Sequence, residues 1–211
     1  MIVNQPRSSA FLRIRTACRD VRWRALRFAD AHIGVAGTLL ARLQGVIMTV
    51  TDEFVEANKT YQQSFKGPLP LPPARHIAVV ACMDARLDPA KILGINEGDA
   101  HVIRNAGGVV TEDVLRSLAI SQRLLGTEEI VLIHHTDCGM VTFTDDAFRT
   151  GIEAEVGIRP SWSAEAFPEP GADVVQSINR IKASPFVPYK DMIRGFVFDV
   201  ATGAINEVGV A

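Results

Sequence analysis

The chain has 211 residues, 47% of them hydrophobic, which suits one α/β domain with a full core. Its net charge of −2 is unevenly spread: eight Arg against two Asp give residues 1–47 a balance of +6, leaving −8 on the rest. So acidic a body lacks the basic footprint of a nucleic-acid binder, and the longest apolar stretch, residues 33–50, is broken by Arg42 and Gln44, short of what a membrane span needs.

Residues 1–47 are rich in Arg and contain no Lys. The preferred reading is an extension that is disordered or not part of the native core, with Met48 as the true start. A targeting segment and a structured accessory helix are the other two readings. From Met48 the pattern is regular. Thr51 can cap a helix running to about Phe65, with Glu53 and Glu56 near its positive end. The proline-rich residues 67–73 form a stiff linker. Residues 77–81 are an apolar run without alternation, as in a strand buried on both faces. A short helix over 89–95 and a strand over 101–103 follow. Thr111 caps a helix over 112–125, with Val114, Leu115, Leu118, Leu124 and Leu125 as its apolar face. Residues 129–135 form a third strand. A helical stretch after Gly139, a loop over 157–171, a helix over 173–182, a strand over 193–200 and an edge strand over 204–208 complete the chain. Alternating strands and helices imply a mainly parallel central sheet flanked by helices, with right-handed crossovers and an N-terminal helical arm.

Cys18, Cys82 and Cys138 are too few for a disulfide framework, which points to a reducing, cytoplasmic setting. Cys82 follows the first strand, and His135-Thr136-Asp137-Cys138 closes the third. Carboxyl ends of parallel strands line the ligand crevice, so two thiolates and an imidazole reach one rim. Sulfur with nitrogen favours a tetrahedral zinc, and three ligands with one open position mark a catalytic rather than a structural site. Each of these residues alone reads as an ordinary buried thiol or core histidine. The run Cys82-Met83-Asp84-Ala85-Arg86 alters that balance.

With these motifs the sequence resembles the β-class carbonic anhydrases, whose pattern is Cys-x-Asp-Ser/Ala-Arg followed some fifty residues later by His-x-x-Cys. Cys82, Asp84, Ala85, Arg86, His135 and Cys138 match, Gly139 follows, and Arg104-Asn105-Ala106-Gly107 is similar to the loop after the family's second strand. The resemblance covers about residues 48–211 and leaves 1–47 unexplained. It implies one zinc per chain on Cys82, His135 and Cys138. The implied reaction is reversible hydration of carbon dioxide to bicarbonate and a proton by zinc-bound hydroxide. Zinc lowers the pKa of bound water from about 15.7 toward 7 in the three-histidine carbonic anhydrase site, and two thiolates should weaken that effect. Asp84 and Arg86 are then the catalytic pair: the carboxylate orients the hydroxide, and the guanidinium keeps it ionised. Family members also adopt a closed state, which implies Asp84 as a fourth zinc ligand in that state only. A homodimer or dimer-based oligomer is expected, without nucleic-acid or membrane partners.

Other polar residues carry weaker expectations. Arg104 and Asn105 either contact the site or brace the loop, bracing being the preferred reading; Gly107-Gly108 allow a turn or close backbone approach, and His134 points away from His135. His76 and His101 are both open as proton shuttles. Two rival functions stand beside hydration: hydrolysis of carbonyl sulfide or carbon disulfide on the same zinc site, and a non-catalytic zinc-stabilised binding domain.

Overall fold

The computed structural model describes residues 48–209, so the expectations for residues 1–47 lie outside the described residues. The chain divides between Phe65 and Lys66 into two units. In the first, helix α1 (Val50–Ser64) is capped by Thr49 rather than Thr51. The Thr49 hydroxyl accepts the Asp52 amide, and the Asp52 carboxylate accepts the Thr49 amide at 2.7 Å. This reciprocal box needs a carboxylate three residues past the cap, which Thr49 has in Asp52 and Thr51 lacks. No residue of α1 is buried, and Phe54 and Val55 are exposed.

The second unit is built on a five-stranded sheet. Its strands are β1 (Ile77–Cys82), β2 (Ala100–Asn105), β3 (Glu129–His135), β4 (Ile193–Phe198) and β5 (Ile205–Glu207). Their spatial order is β2-β1-β3-β4-β5; the first four run parallel, and β5 is antiparallel to β4. Chain order reverses between β1 and β3, since β1 is followed by β2 on one side and by β3 on the other. That junction is where the crevice of an open parallel sheet forms.

Helices α2 (Pro89–Leu93), α3 (Glu112–Leu125), α4 (Asp145–Val156) and α5 (Pro170–Ala183) connect the strands. Val114 and Leu118 of α3 and Val174, Ile178 and Ile181 of α5 pack on Ala78, Val80, Ile130 and Leu132, which line one face of the sheet. The other face, with Val79, Ala81 and Ile133, is covered by Leu87, Val109, Met140 and Phe167. β1 and β3 are thus buried on both sides, as their unbroken apolar runs require. α5 lies close to the sheet, because a Cβ on Gly195 of β4 would fall 2.2 Å from a Val174 methyl.

Three further helix boundaries differ from expectation for local reasons. α2 stops at Leu93 because Gly94 takes a left-handed cap (φ 64°). The helical stretch after Gly139 begins as a single 3-10 turn, Gly139–Val141, and becomes α4 only once Thr144 caps it. α5 begins before Asp173, because Glu169 caps the Gly171 and Ala172 amides and Pro170 occupies the first turn. Leu124, expected on the apolar face of α3, is 76% exposed; Ser121 and Gln122 are buried on that helix instead. No helix among the described residues is long and apolar enough to cross a membrane.

Candidate metal centre

Cys82 is the last residue of β1 and His135 the last of β3, so adjacent parallel strands deliver both to one rim. Cys138 follows after a turn in which Asp137 takes a left-handed backbone (φ 54°). The Thr136 amide donates to the Phe198 carbonyl at 2.9 Å, and the Val200 amide donates to the Thr136 hydroxyl at 3.1 Å, tying this turn to the end of β4. The ligand atoms of Cys82, His135 and Cys138, all buried, lie within 4.8 Å of one another.

Close strand packing makes this possible. Above the junction, Gly108 has φ +74°, and a Cβ there would lie 2.8 Å from the Cys82 amide nitrogen and 3.1 Å from the Ile133 carbonyl oxygen. Arg104 on β2 braces the turn after β1, donating to the carbonyls of Cys82 (2.9 and 2.7 Å) and Asp84 (2.7 Å). The Asn105 amide nitrogen donates to the Val109 carbonyl at 2.9 Å. Both residues brace loops, as expected.

The His135 ring settles which nitrogen is available. Nδ1 lies 2.8 Å from the Thr136 carbonyl and must donate to it, so Nε2 carries the lone pair. That Nε2 is buried without a hydrogen-bond partner and sits among the two sulfurs. The Cys82 thiol is pulled down to about 4, first by the Cys138 thiol donating to it and further by His135, against the penalty of burial. The Cys138 thiol is pushed up by the same Cys82 contact. His135 is raised, chiefly by its contact with Cys82. The cluster thus favours one thiolate, disfavours a second beside it and draws a proton toward His135; a divalent cation at its centre would take the place of those protons. Two soft sulfurs and an imidazole with a free lone pair fit zinc.

Beside them, Asp84 forms a forked pair with Arg86: Nε to Oδ1 at 3.0 Å and Nη2 to Oδ2 at 2.8 Å. The Arg86 amide also donates to Oδ1 at 2.8 Å. These bonds, with the Arg86 side chain foremost, hold the Asp84 carboxyl well below the usual carboxylate range, and the Arg86 guanidinium is raised in turn by Asp84. The Asp84 Oδ2 lies 3.7 Å from His135 Nε2, at the edge of the donor cluster.

The other expectations resolve by position. His134 points into the opposite face, where its Nε2 meets the buried Asp173 carboxylate at 2.7 Å. His101 is paired with Ala78 toward the amino ends of the strands and contacts Ser121 at 2.8 Å, away from the rim. The His76 Nδ1 contacts the Gly126 carbonyl at 2.7 Å. Two residues escaped the sequence reading. Asp173 is the partner of His134, and Asp137 receives a further arm of Arg86 (Nη1 to Oδ2, 2.8 Å). An acidic residue inside the His-x-x-Cys run was the available signal for Asp137.

Among the described residues, fold and donor set place one candidate soft-cation centre at the switch point of an α/β sheet, as in a metalloenzyme. Comparison with known proteins narrows this. The family profile for carbonic anhydrase matches residues 77–169. Beta-carbonic anhydrase 1 of Mycobacterium tuberculosis is 65% identical over 161 residues, covering 76% of this chain and 99% of that protein. The crystal structure of a carbonic anhydrase from Streptococcus mutans superposes with a TM-score of 0.73 at 42% identity, over 78% of this chain and 100% of the other. A carbon disulfide hydrolase of Saccharolobus solfataricus is 41% identical over 102 residues, 48% of each chain. The chain belongs to the β-carbonic anhydrase family.

Proposed function

We propose that this chain hydrates carbon dioxide reversibly to bicarbonate and a proton, with zinc held by Cys82, His135 and Cys138. The observation that carries the reading is the convergence of those three donors within 4.8 Å, with the Asp84 carboxylate at their edge. Zinc on such ligands supplies a Lewis acid that raises the acidity of water at neutral pH. Asp84, ionised and able only to accept, takes a hydrogen bond from the attacking water and aims its lone pair at the carbon of the substrate. Arg86 keeps Asp84 charged and oriented through the fork. A carboxylate held below its ordinary range accepts a hydrogen bond without taking up the proton, which suits it to orienting the attacking water.

Carbon disulfide hydrolysis is the second reading, favoured by the Saccharolobus solfataricus relative. The longer and closer match to a carbonic anhydrase puts hydration first: 65% identity over 99% of that protein against 41% over 48%. Stopped-flow hydration across pH, with sulfide release from carbon disulfide and zinc content measured on the same sample, tests both. Sulfide release without hydration would reverse the order. Silence toward both substrates in a fully zinc-loaded sample would sink the enzymatic reading and revive a non-catalytic zinc domain.

Within this proposal residues 48–211 form the zinc domain and residues 1–47 lie outside it. A homodimer is supported by α1 and the residue after it, which expose Phe54, Val55 and Phe65, and by the edge strand β2, which exposes Val102. The free thiols of Cys82 and Cys138 support a reducing, cytoplasmic setting.

A further inference from the structure

Arg86 holds more than one carboxylate. While Nε and Nη2 grip Asp84, Nη1 donates to the Asp137 Oδ2 at 2.8 Å and Nη2 also donates to the Asp137 carbonyl at 3.0 Å. The guanidinium is therefore held along two edges, one by the residue two positions before it and one by a residue 51 positions after it. The second hold is built with care. Asp137 has φ 54°, a backbone that side-chain-bearing residues rarely adopt. Its neighbour Thr136 is pinned to the end of β4 from both its amide and its hydroxyl. The turn is thus anchored to the sheet on one side and grips Arg86 on the other.

The Asp137 side chain is 79% exposed, and an ion pair so open to water contributes little to folding stability. What it can do is orient. Arg86 is itself partly exposed and has a long, flexible stem, so a grip on Asp84 alone would leave the pair free to swing as a unit. A grip on a second, backbone-anchored carboxylate removes that freedom. We propose that Asp137 is a positioning residue, which fixes Arg86 and through it keeps the Asp84 Oδ2 directed at the Cys82–His135–Cys138 cluster. The catalytic consequence rests on the hydration reading above; the orientational one does not.

Two variants test this in the zinc-loaded full chain. Asp137→Gly removes the side chain at a backbone angle that glycine adopts freely, and Asp137→Asn keeps a neutral acceptor in the same place. Both are expected to hold one zinc per chain and to melt close to the parent. In Asp137→Gly the kcat/KM for carbon dioxide should fall about tenfold, with a smaller loss in Asp137→Asn, the usual scale for a group that orients a residue at a metal site. The loss should vanish in an Arg86→Lys background, where the fork is already gone. Independently of activity, the Arg86 Nε–H resonance, assigned by its absence in Arg86→Lys, should exchange with water several-fold faster in Asp137→Gly. An unchanged exchange rate would overturn the proposal, as would equal losses of activity in both backgrounds or loss of zinc from Asp137→Gly. A parent that holds zinc but hydrates nothing would remove the hydration reading, and the exchange rate would still judge the tie.

Discussion

Replacing Gly108 by alanine places a methyl group in the backbone junction of the two central strands. The new Cβ would lie 2.8 Å from the Cys82 nitrogen, 3.0 Å from the Ala81 carbonyl carbon and 3.1 Å from the Ile133 oxygen, all backbone atoms that cannot rotate aside. The left-handed φ of +74° adds a second penalty. Left-handed backbone costs a residue with a side chain about 1–2 kcal/mol, and overpacking about 1–3 kcal/mol. Together these remove about 2–5 kcal/mol from a total stability of about 5–15 kcal/mol. At about 2–4 °C per kcal/mol for a chain of this size, the melting temperature should fall by about 4–20 °C. Gly157→Ala is the internal control, since Gly157 has φ +78° but nothing within 4 Å of the added methyl. It should show the backbone penalty alone. Spreading β1 from β3 also separates Cys82 from His135, so Gly108→Ala should release zinc to a chelator faster than Gly157→Ala. Calorimetric melting of both variants, with metal analysis before and after chelation, reads both effects. A Gly108→Ala protein that melts no lower than Gly157→Ala and keeps zinc as firmly would refute the close-approach argument.

Asp84→Asn should retain zinc while kcat falls about 100-fold or more, the scale of a positioned proton acceptor; metal analysis and stopped-flow kinetics on one sample check it. Cys138→Ala should lose the metal on dialysis, because two remaining ligands hold zinc poorly, and stoichiometric zinc afterwards would count against Cys138 as a ligand. Asp145 joins the start of α4 to the loop that follows it, accepting the Ala166 amide at 2.7 Å and a hydrogen bond from the Ser163 hydroxyl. Burial opposes its charge, but the Ser163 hydroxyl and the Ala166 and Glu165 amides outweigh burial and hold its carboxyl below the ordinary value. The stability it contributes is therefore present above its unfolded pKa of about 3.9 and is lost as pH falls through the lower folded value. Asp145→Asn should melt below the parent at pH 7, and the gap should close on acidification; a gap independent of pH would show that the charge contributes nothing.

The sheet was legible where apolar runs stand between clear punctuation. β3 and α3 have the expected ends because Thr111, Gly126 and the runs between them leave little choice of register. The cap of α1 was misplaced because two threonines stand two residues apart, and only the reciprocal Asp52 bond selects Thr49. The buried face of α3 was misread at its end. Ser121 and Gln122 are polar yet buried, because Thr127 and the Tyr189 backbone satisfy them, and hydropathy alone does not register such partners. At the site, Cys82, His135 and Cys138 were legible because strand ends in a parallel sheet converge. The grip of Asp137 on Arg86 was not, since it depends on a left-handed turn and on a partner 51 residues away.

Cys82 lies 53 residues before His135, and the two meet only when β1 is seated beside β3. An unfolded chain offers a cation little more than the His135–Cys138 pair, so the folded state holds nearly all the affinity. By mass action, each tenfold rise in free zinc above the dissociation constant then adds about 1.4 kcal/mol to the apparent stability. With zinc held as proposed, the centre is a gauge of folding as well as a seat of chemistry: the melting temperature of any preparation should track zinc activity in its buffer. Two batches of identical sequence, one dialysed against chelator, would behave as proteins of different stability.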